Sequence, residues 1–467
     1  MLSASLSKAM ISQTKPYVGV RHTDIDSLPE VMLDGLRNNL ERLSSELVIS
    51  GCVTRVAGSS IEVQGLDSPI GSVCRVVCPA GRVDIDAEVI GFEKNSLFLM
   101  PYKGTEGLSP GCRVYPKAGT SFGKLSNQLI GRVIDGFGDV LDAGPAIEYT
   151  HEAPLDGKLI NPMQRPNIDT ILETGIKAID TCLTMGSGQR MGLIAGSGVG
   201  KSALLAMLAR NTAADLVVIG LIGERGREVN AFINTTLGEL GLANSVVIAA
   251  PSNASALERV RAAKLTHLIA EFFRDQGKNV LMLFDSLTRV AHAQREIGLT
   301  IGEPPTTKGY PPSVFSLLPN LIERTGTGID GNGSITCFYT VLAESDDRSD
   351  LIVDIARASL DGQIMLSRQL ADKAQYPAID LMGSISRVAN SLLDFPRVKL
   401  SQKLRRLWTL YSEKEDLIQI GAYEDKSDGE LNTAIELRSA LLEFLAQAEN
   451  EYYPSEKSWQ RLEEILQ

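Results

Sequence analysis

The sequence predicts an α/β protein, with a doubly wound parallel sheet at its centre, a small β domain before it and a helical domain after it. Three observations lead there. From Arg190 to about Val388, buried-type apolar runs alternate with stretches of helical spacing, the βα rhythm that covers both faces of a parallel sheet. One of those junctions reads LIAGSGVGKSALLAML, Leu193 to Leu208, where an apolar strand passes through small residues into a helix. Upstream, Leu47 to about Pro116 is cut by regular turns into short alternating strands, and beyond Ala389 strand signals stop.

Taken in order, residues 1–46 open Ser-rich, with Arg21 the first arginine and Asp24 the first acidic residue. They lack a secretory-type apolar core, so a loosely ordered cytosolic tail is expected. Leu33, Leu36, Leu40 and Leu43 add a helical pattern near its end. Residues 47–118 hold ELVISGCVTRVAG, SSIEVQGL, GSVCRVVCPAG, VDIDAEVIGFEK and NSLFLMPYKG, which read as the strands of a small barrel or sandwich. Lys117 to Leu125 reads as a Gly/Ser-containing linker.

Residues 119–390 form the central domain, with MGLIA, LVVIGLI, SVVIAA, NVLMLFD, ITCFYTVL and GQIMLS as strands. Between them, Leu265, Leu268, Ile269 and Phe272 fall on one helical face. Residues 391–467 are helical, from LRRLWTLYSEKEDLI through LNTAIELRSALLEFLAQ to KSWQRLEEILQ.

Composition narrows the function. A length of 467 residues suggests roughly three domains. The balance of 46 basic against 57 acidic residues, net −11, argues against broad nucleic-acid binding, which needs a basic face. Six cysteines without a CxxC pair and four dispersed histidines offer no zinc constellation, and free thiols in a reducing cytosol are expected. No apolar run reaches the ~18 residues of a membrane-spanning helix.

The strand–loop–helix junction has the context of a phosphate cradle. Along Gly196, Ser197, Gly198, Val199 and Gly200, the glycines let successive backbone N–H groups turn inward around an anion. Lys201 reaches the β- and γ-phosphates, and the Ser202 hydroxyl suits Mg²⁺. The helix expected to start at about Ser202, with Ala203 next, points its positive end at the same place. Ala195 stands where the common motif has its first glycine, which is tolerable if its φ is negative.

Two carboxylates complete the chemistry. Asp285 ends the strand NVLMLFD, where an acid beside a phosphate loop holds the water shell of Mg²⁺, or caps the next helix together with Ser286. Glu224 follows the strand LVVIGLI at the edge where a γ-phosphate would lie, placed to orient a water; Arg225 and Arg227 flank it. Read without further context, that cluster serves equally as a solvated charged turn.

Beyond these motifs, long blocks carry a resemblance. GLIAGSGVGKS, LIGERGREVN, FDSLTRVAHAQREIGLTIGEPPTTKGYPPSVFSLLPNLIERTG, YTVLAESDD, LDGQIMLSRQLADKAQYPAID and SISRV are similar to the flagellar export ATPase and its injectisome relatives, the type III secretion ATPases. These are cousins of the rotary ATP synthase catalytic subunit. The resemblance spans about Leu47 to Ile435, and alanine is usual in the family at the position of Ala195. It implies a RecA-like P-loop ATPase core that binds ATP and Mg²⁺. It implies that Glu224 orients the lytic water with Arg225 in support, that Tyr376 stacks on adenine, and that Arg387 is an arginine finger for a neighbouring subunit.

The implied assembly is a homo-hexamer sealed by the β domain. The segment from Glu303 to Tyr310 would face the pore and a central-stalk protein, and the Gly/Pro-rich run IGEPPTTKGYPP independently reads as an exposed loop. Residues 1–46 would bind a dimeric regulator. The export gate and chaperone–substrate complexes would be further partners, with no nucleic acid and only peripheral association at the cytoplasmic face of the inner membrane.

The tail DLIQIGAYEDKSDGELNTAI favours the flagellar branch over the injectisome one. Competing readings are a rotary ATP synthase subunit, whose acidic-hydrophobic C-terminal segment is not evident here, and a hexameric RNA translocase, which would need a basic, aromatic barrel face. Asp84, Asp86 and Glu88 stand in that segment instead. A nonenzymatic nucleotide-binding scaffold would not need Glu224.

Overall fold

The computed structural model describes residues 49–78, 84–196, 198–342, 350–419 and 429–467. The N-terminal tail and its helical pattern lie outside them, as do Ser197, the AESDD block and all of GAYEDKSD.

Six strands close into a barrel: β1 Gly51–Ala57, β2 Ser60–Gln64, β3 Ser72–Val77, β4 Asp84–Glu93, β5 Ser96–Pro101 and β6 Arg113–Thr120, in the order β1-β2-β5-β4-β3-β6. Alternate residues such as Val53, Ile61, Val63, Cys74, Val76 and Leu99 fill its interior, as the period of two requires. Closure removes the exposed edges that such short strands would otherwise present.

Two expectations are corrected here. The stretch Lys117–Leu125 is not a linker: β6 runs through Thr120, paired with β3, and β7 Phe122–Leu125 pairs antiparallel with β8 His151–Pro154. Ladder hydrogen bonds override the weak strand propensity of its glycines. Nor are all six thiols free, since Cys78 and Cys112 form a disulfide while Cys52, Cys74, Cys182 and Cys337 stay reduced. Pairing Val77 with Arg113 sets the two cysteines side by side across 34 residues of sequence, a proximity no spacing rule reveals.

The central sheet contains the six strands read from the sequence: β9 Arg190–Ala195, β10 Leu216–Ile222, β11 Ser245–Ala250, β12 Asn279–Asp285, β13 Ser334–Leu342 and β14 Gly362–Leu366. The order is β14-β9-β13-β12-β10-β11, all parallel, with Arg132–Ile134 added beyond β11. Sequence reading missed β15 Ile379–Ser386, which runs antiparallel on the outside of β14. An edge strand needs only one buried face: Ile379 and Leu381 are buried and Met382 and Ile385 about half exposed, and the apolar run is interrupted by the half-buried Asp380 and Ser386 and the buried Ser384.

Leu193, Val217, Ile219, Leu281 and Phe338 face one layer; Ile194, Val218, Ile248, Met282 and Phe284 face the other. Helices α1 Lys177–Cys182 and α2 Lys201–Asn211 cover the first side. Helices α3 Ala256–Arg274, α4 Leu287–Thr300 and α5 Pro312–Glu323 cover the second.

The C-terminal helices, α6 Phe395–Gln419, α7 Gly429–Leu445 and α8 Ser455–Leu466, are continuous with the first layer through Leu404, Trp408, Phe444 and Trp459. The barrel rests on the second layer, where Ile90, Met100 and Tyr102 meet Leu257, Val260, Ala293 and Ile297. Among the described residues no helix is long and apolar enough to cross a membrane.

Candidate nucleotide-binding and hydrolysis site

The phosphate loop leaves β9 at its C-terminal end, where open α/β sheets place their ligands. Ala195 is the last ladder residue, paired with Leu342 and almost fully buried. It is therefore extended backbone that any side chain adopts, which explains why a glycine is not needed there. The turn proper is made by Gly198 at φ +77° and Gly200 at φ +90°, a region costly for other residues. Open space surrounds Gly196 and Gly198 where a side chain would stand. Helix α2 begins at Lys201, one residue earlier than the sequence suggests, with Gly200 as its cap and no side chain satisfying its first N–H groups. Those donors suit an anion. Val199 is buried, Ser202 exposed and Ala203 intermediate.

Asp285, at the end of β12, and Glu224, two residues past β10, converge on Lys201. Lys201 Nζ lies 2.7 Å from Asp285 Oδ1 and 3.3 Å from Glu224 Oε1. Asp285 Oδ1 also accepts a hydrogen bond from the Thr340 hydroxyl at 2.6 Å, a partner on β13 that sequence reading did not single out. Burial disfavours the charge on Lys201, but Asp285 and then Glu224 outweigh it and hold its pKa above the ordinary lysine value. The ammonium thus offsets the charge of both acids. Ser286 meanwhile caps α4 by accepting from Arg289 N at 3.4 Å, so the acid and the cap expected at this junction coexist.

Arg225 does not join this group. Its guanidinium is largely exposed and pairs with Glu228 at 3.2 Å. Arg289 is nearer the chemistry and was overlooked within its block: its side chain packs on Gly223, beside Glu224, and its Nε is buried without a hydrogen-bond partner. The helical spacing of α4 concealed it among residues that face the core.

Tyr376 stands at the helix start, where a Cβ added to Gly200 would lie 3.4 Å from its ring. The ring is 44% exposed, leaving an aromatic face available for stacking. Arg387 is elsewhere. Ser386 pairs with Gly362 at the start of β14, and Arg387 N bonds to Asp361 O, whose own N–H reaches Arg190 O. Arg190 opens β9 and Ala195 closes it, so roughly 17 Å of strand separates Arg387 from its own phosphate loop. Its exposed side chain cannot complete the site of its own chain.

Residues 175–386 match the ATP synthase alpha/beta family nucleotide-binding domain, residues 53–117 its beta-barrel domain, and residues 396–464 the T3SS EscN ATPase C-terminal domain. The Flagellum-specific ATP synthase of Pseudomonas aeruginosa is 47% identical across 91% of this chain and 94% of its own. The chain belongs to the flagellar and type III secretion ATPases. Another relative, the Flagellum-specific ATP synthase of Salmonella typhimurium, is 49% identical over 89% of this chain and 93% of its own. A Type 3 secretion system ATPase of Xanthomonas euvesicatoria reaches 45% over 88% of this chain and 93% of its own.

Among solved structures, the assembled ATPase EscN from the enteropathogenic E. coli type III secretion system superposes with a TM-score of 0.85 at 38% identity, covering 89% of this chain and all of its own. EscN in complex with its central stalk EscO gives 0.82 over the same shares. As a member of this family the chain is a P-loop ATPase with the barrel, sheet and helical architecture predicted from its sequence.

The donor set fits magnesium: a serine hydroxyl at the first turn of α2 and one strand-end carboxylate are hard oxygens, and Mg²⁺ takes few protein ligands beside phosphates and water. Among the described residues there is no cluster of three or more His, Cys, Asp or Glu that would favour another metal.

Proposed function

We propose that the chain hydrolyses Mg-ATP to drive protein export by a flagellar type III secretion apparatus, releasing chaperones and preparing substrates. The observation that carries this reading is Lys201 bridging Asp285 and Glu224 at the end of the sheet, with Arg387 at the opposite end. The phosphate loop holds the triphosphate, with Gly196 to Ala203 as its cradle and Ser197 included by sequence alone. Lys201 moves from the carboxylates to the β- and γ-phosphates. Ser202 and the released Asp285 would hold magnesium, which would supply positive charge to offset that of the phosphates. Glu224, freed at the same moment, polarises the water in line with the γ-phosphorus.

Arg387 of a neighbouring copy supplies positive charge as the transition state spreads negative charge over the γ-oxygens, an effect worth roughly 10³–10⁵ in rate. A closed ring in which identical copies complete one another follows, and six is the number we propose. The solved complex of EscN with its central stalk EscO supports a stalk protein facing the loop Glu303–Tyr310, which is exposed from Pro304 to Lys308. A dimeric regulator on residues 1–46, an export gate, chaperone–substrate complexes and a place at the cytoplasmic face of the inner membrane belong to the same proposal. Nucleic acid has no part in it.

The deciding experiment is Glu224→Gln. It should bind Mg-ATP as the wild type does and lose at least about a hundredfold in kcat; a wild-type rate removes Glu224 from the mechanism. An injectisome role is the second reading, favoured by the EscN likeness and the Xanthomonas relative. Restoration of swimming in a flagellar ATPase deletion, without restoration of effector secretion, separates the two.

A further inference from the structure

We infer that Gln447 is a positioning residue for the nucleotide base, acting through Tyr376, and that it fastens the C-terminal helical domain to the active site. The inference rests on the reading of Tyr376 as the stacking platform. Gln447 lies two residues beyond α7 and is buried. Its backbone N–H donates to Tyr376 O at 2.9 Å. Both N–H donors of its carboxamide are used: Nε2 donates to Gly175 O at 2.8 Å and to Glu451 O at 3.0 Å, and Oε1 accepts from Lys177 N at 2.9 Å. With both donors spent on backbone and the side chain buried, its role is to hold the chain around the site. Everything Gln447 holds is backbone, and what it holds surrounds the site.

Three elements meet at this residue. Gly175 and Lys177 belong to the turn that opens α1. Tyr376 belongs to the loop between β14 and β15, which is tied a second time when Gln375 Nε2 donates to Leu442 O at 3.0 Å. The chain just after Gln447 reaches the far end of α2, the phosphate-loop helix: Asn211 Nδ2 donates to Glu451 O at 3.0 Å and Arg210 to Glu449 O at 2.7 Å. The start of α2 lies under the Tyr376 ring at Gly200. One buried carboxamide therefore sets where the aromatic face stands relative to the helix that carries Lys201. A shift of the helical domain moves Tyr376 by its backbone while leaving Asp285 and Glu224, on β12 and β10, in place.

The test separates base from phosphate binding. Full-length Gln447→Leu, which keeps volume and the backbone N–H to Tyr376 O but removes the carboxamide bonds that hold this backbone in place, is compared with wild type for the KM and kcat of Mg-ATP and for the inhibition constant of inorganic tripolyphosphate. We expect KM to rise about tenfold with kcat within about twofold, and tripolyphosphate inhibition to stay unchanged. In a Tyr376→Ala background the same substitution should add less than about twofold, since the platform it positions is gone. An equal loss for both ligands, or full additivity with Tyr376→Ala, overturns the proposal. Gln447→Glu, which keeps size and acceptor while losing the donors, carries the same comparison if the leucine variant does not fold. If Tyr376→Ala itself leaves KM unchanged, the stacking reading fails; if it raises KM while neither Gln447 variant does, only the positioning role fails.

Discussion

The Lys201 ammonium pairs with both Asp285 and Glu224. On the proposed mechanism binding is an exchange of partners, in which phosphate oxygens replace the two carboxylates around one cation. Asp285→Asn tests this at the residue scale. It should raise the magnesium concentration for half-maximal activity by at least about tenfold, because a hard carboxylate is lost. Magnesium-free ATP binding should hold or tighten, because the lysine is less restrained. Titration calorimetry with and without magnesium measures both, and a parallel loss in the two titrations would contradict the exchange. Glu224 and Asp285 were legible as residues at strand ends. Arg289 and Thr340 were not, because a buried arginine on a helix and a threonine within an apolar strand follow the same patterns as core packing.

At the scale of elements, the two layers of helices are held to the sheet by a few buried polar contacts amid apolar packing. Arg324, just past α5, makes a two-pronged contact with Glu271 of α3, with both N–O distances 2.8 Å, and donates to Leu155 O at 2.7 Å. Both side chains are almost wholly buried. Arg324→Met should therefore destabilise the chain by about 3–5 kcal/mol, since it strands a carboxylate away from water. Guanidinium unfolding read by circular dichroism gives the value, and a loss below about 1 kcal/mol would show that Glu271 finds water instead.

His267, on α3, is locked neutral between Ala263 O, which can only accept and so fixes the proton on Nδ1, and the Tyr339 hydroxyl at 2.9 Å from Nε2. Burial, with the nearby Arg324 charge, pushes its pKa down to about 3 from the ordinary 6.5. The unfolded chain then binds the extra proton between those values, so this contribution is intact above pH 6.5 and lost as pH falls toward 3. The slope is about 1.4 kcal/mol per pH unit. His267→Gln should flatten the acid side of a stability–pH curve relative to wild type. Parallel curves would mean that the histidine is charged in the fold. Asp180, pushed up to about 7 mainly by burial, acts in the opposite sense, but equally in both proteins, so it cancels in the comparison.

For the whole molecule, the proposed role of Arg387 requires a neighbour, because this arginine lies at the far end of the sheet from the phosphate loop of its own chain. Arg387→Ala should keep nucleotide binding and lose turnover, as should Glu224→Gln. Mixed in equal amounts, the two inactive chains should recover activity. On the proposed mechanism each interface needs Glu224 from one copy and Arg387 from the next, so random mixing leaves about a quarter of the interfaces intact. Steady-state ATPase of the mixture against each variant alone decides it, and no recovery would mean that the two residues serve the same site from one chain. Wild-type specific activity should also rise with protein concentration as rings assemble.

The order of the six central strands along the chain, the phosphate loop, and the carboxylates at strand ends were all determined by sequence, because each is a local pattern: a period of hydrophobicity, a run of glycines, an acid at the end of an apolar stretch. The pairing of Cys78 with Cys112, the edge strand Ile379–Ser386, the Arg289 contact and the Gln447 junction were decided only by tertiary structure. In each of these, the partners are brought together by barrel closure, sheet order or domain docking across long stretches of chain. The placement of Arg387 belongs there too, because only the antiparallel return of the last strand sets it at the far end of the sheet from the loop in its own chain.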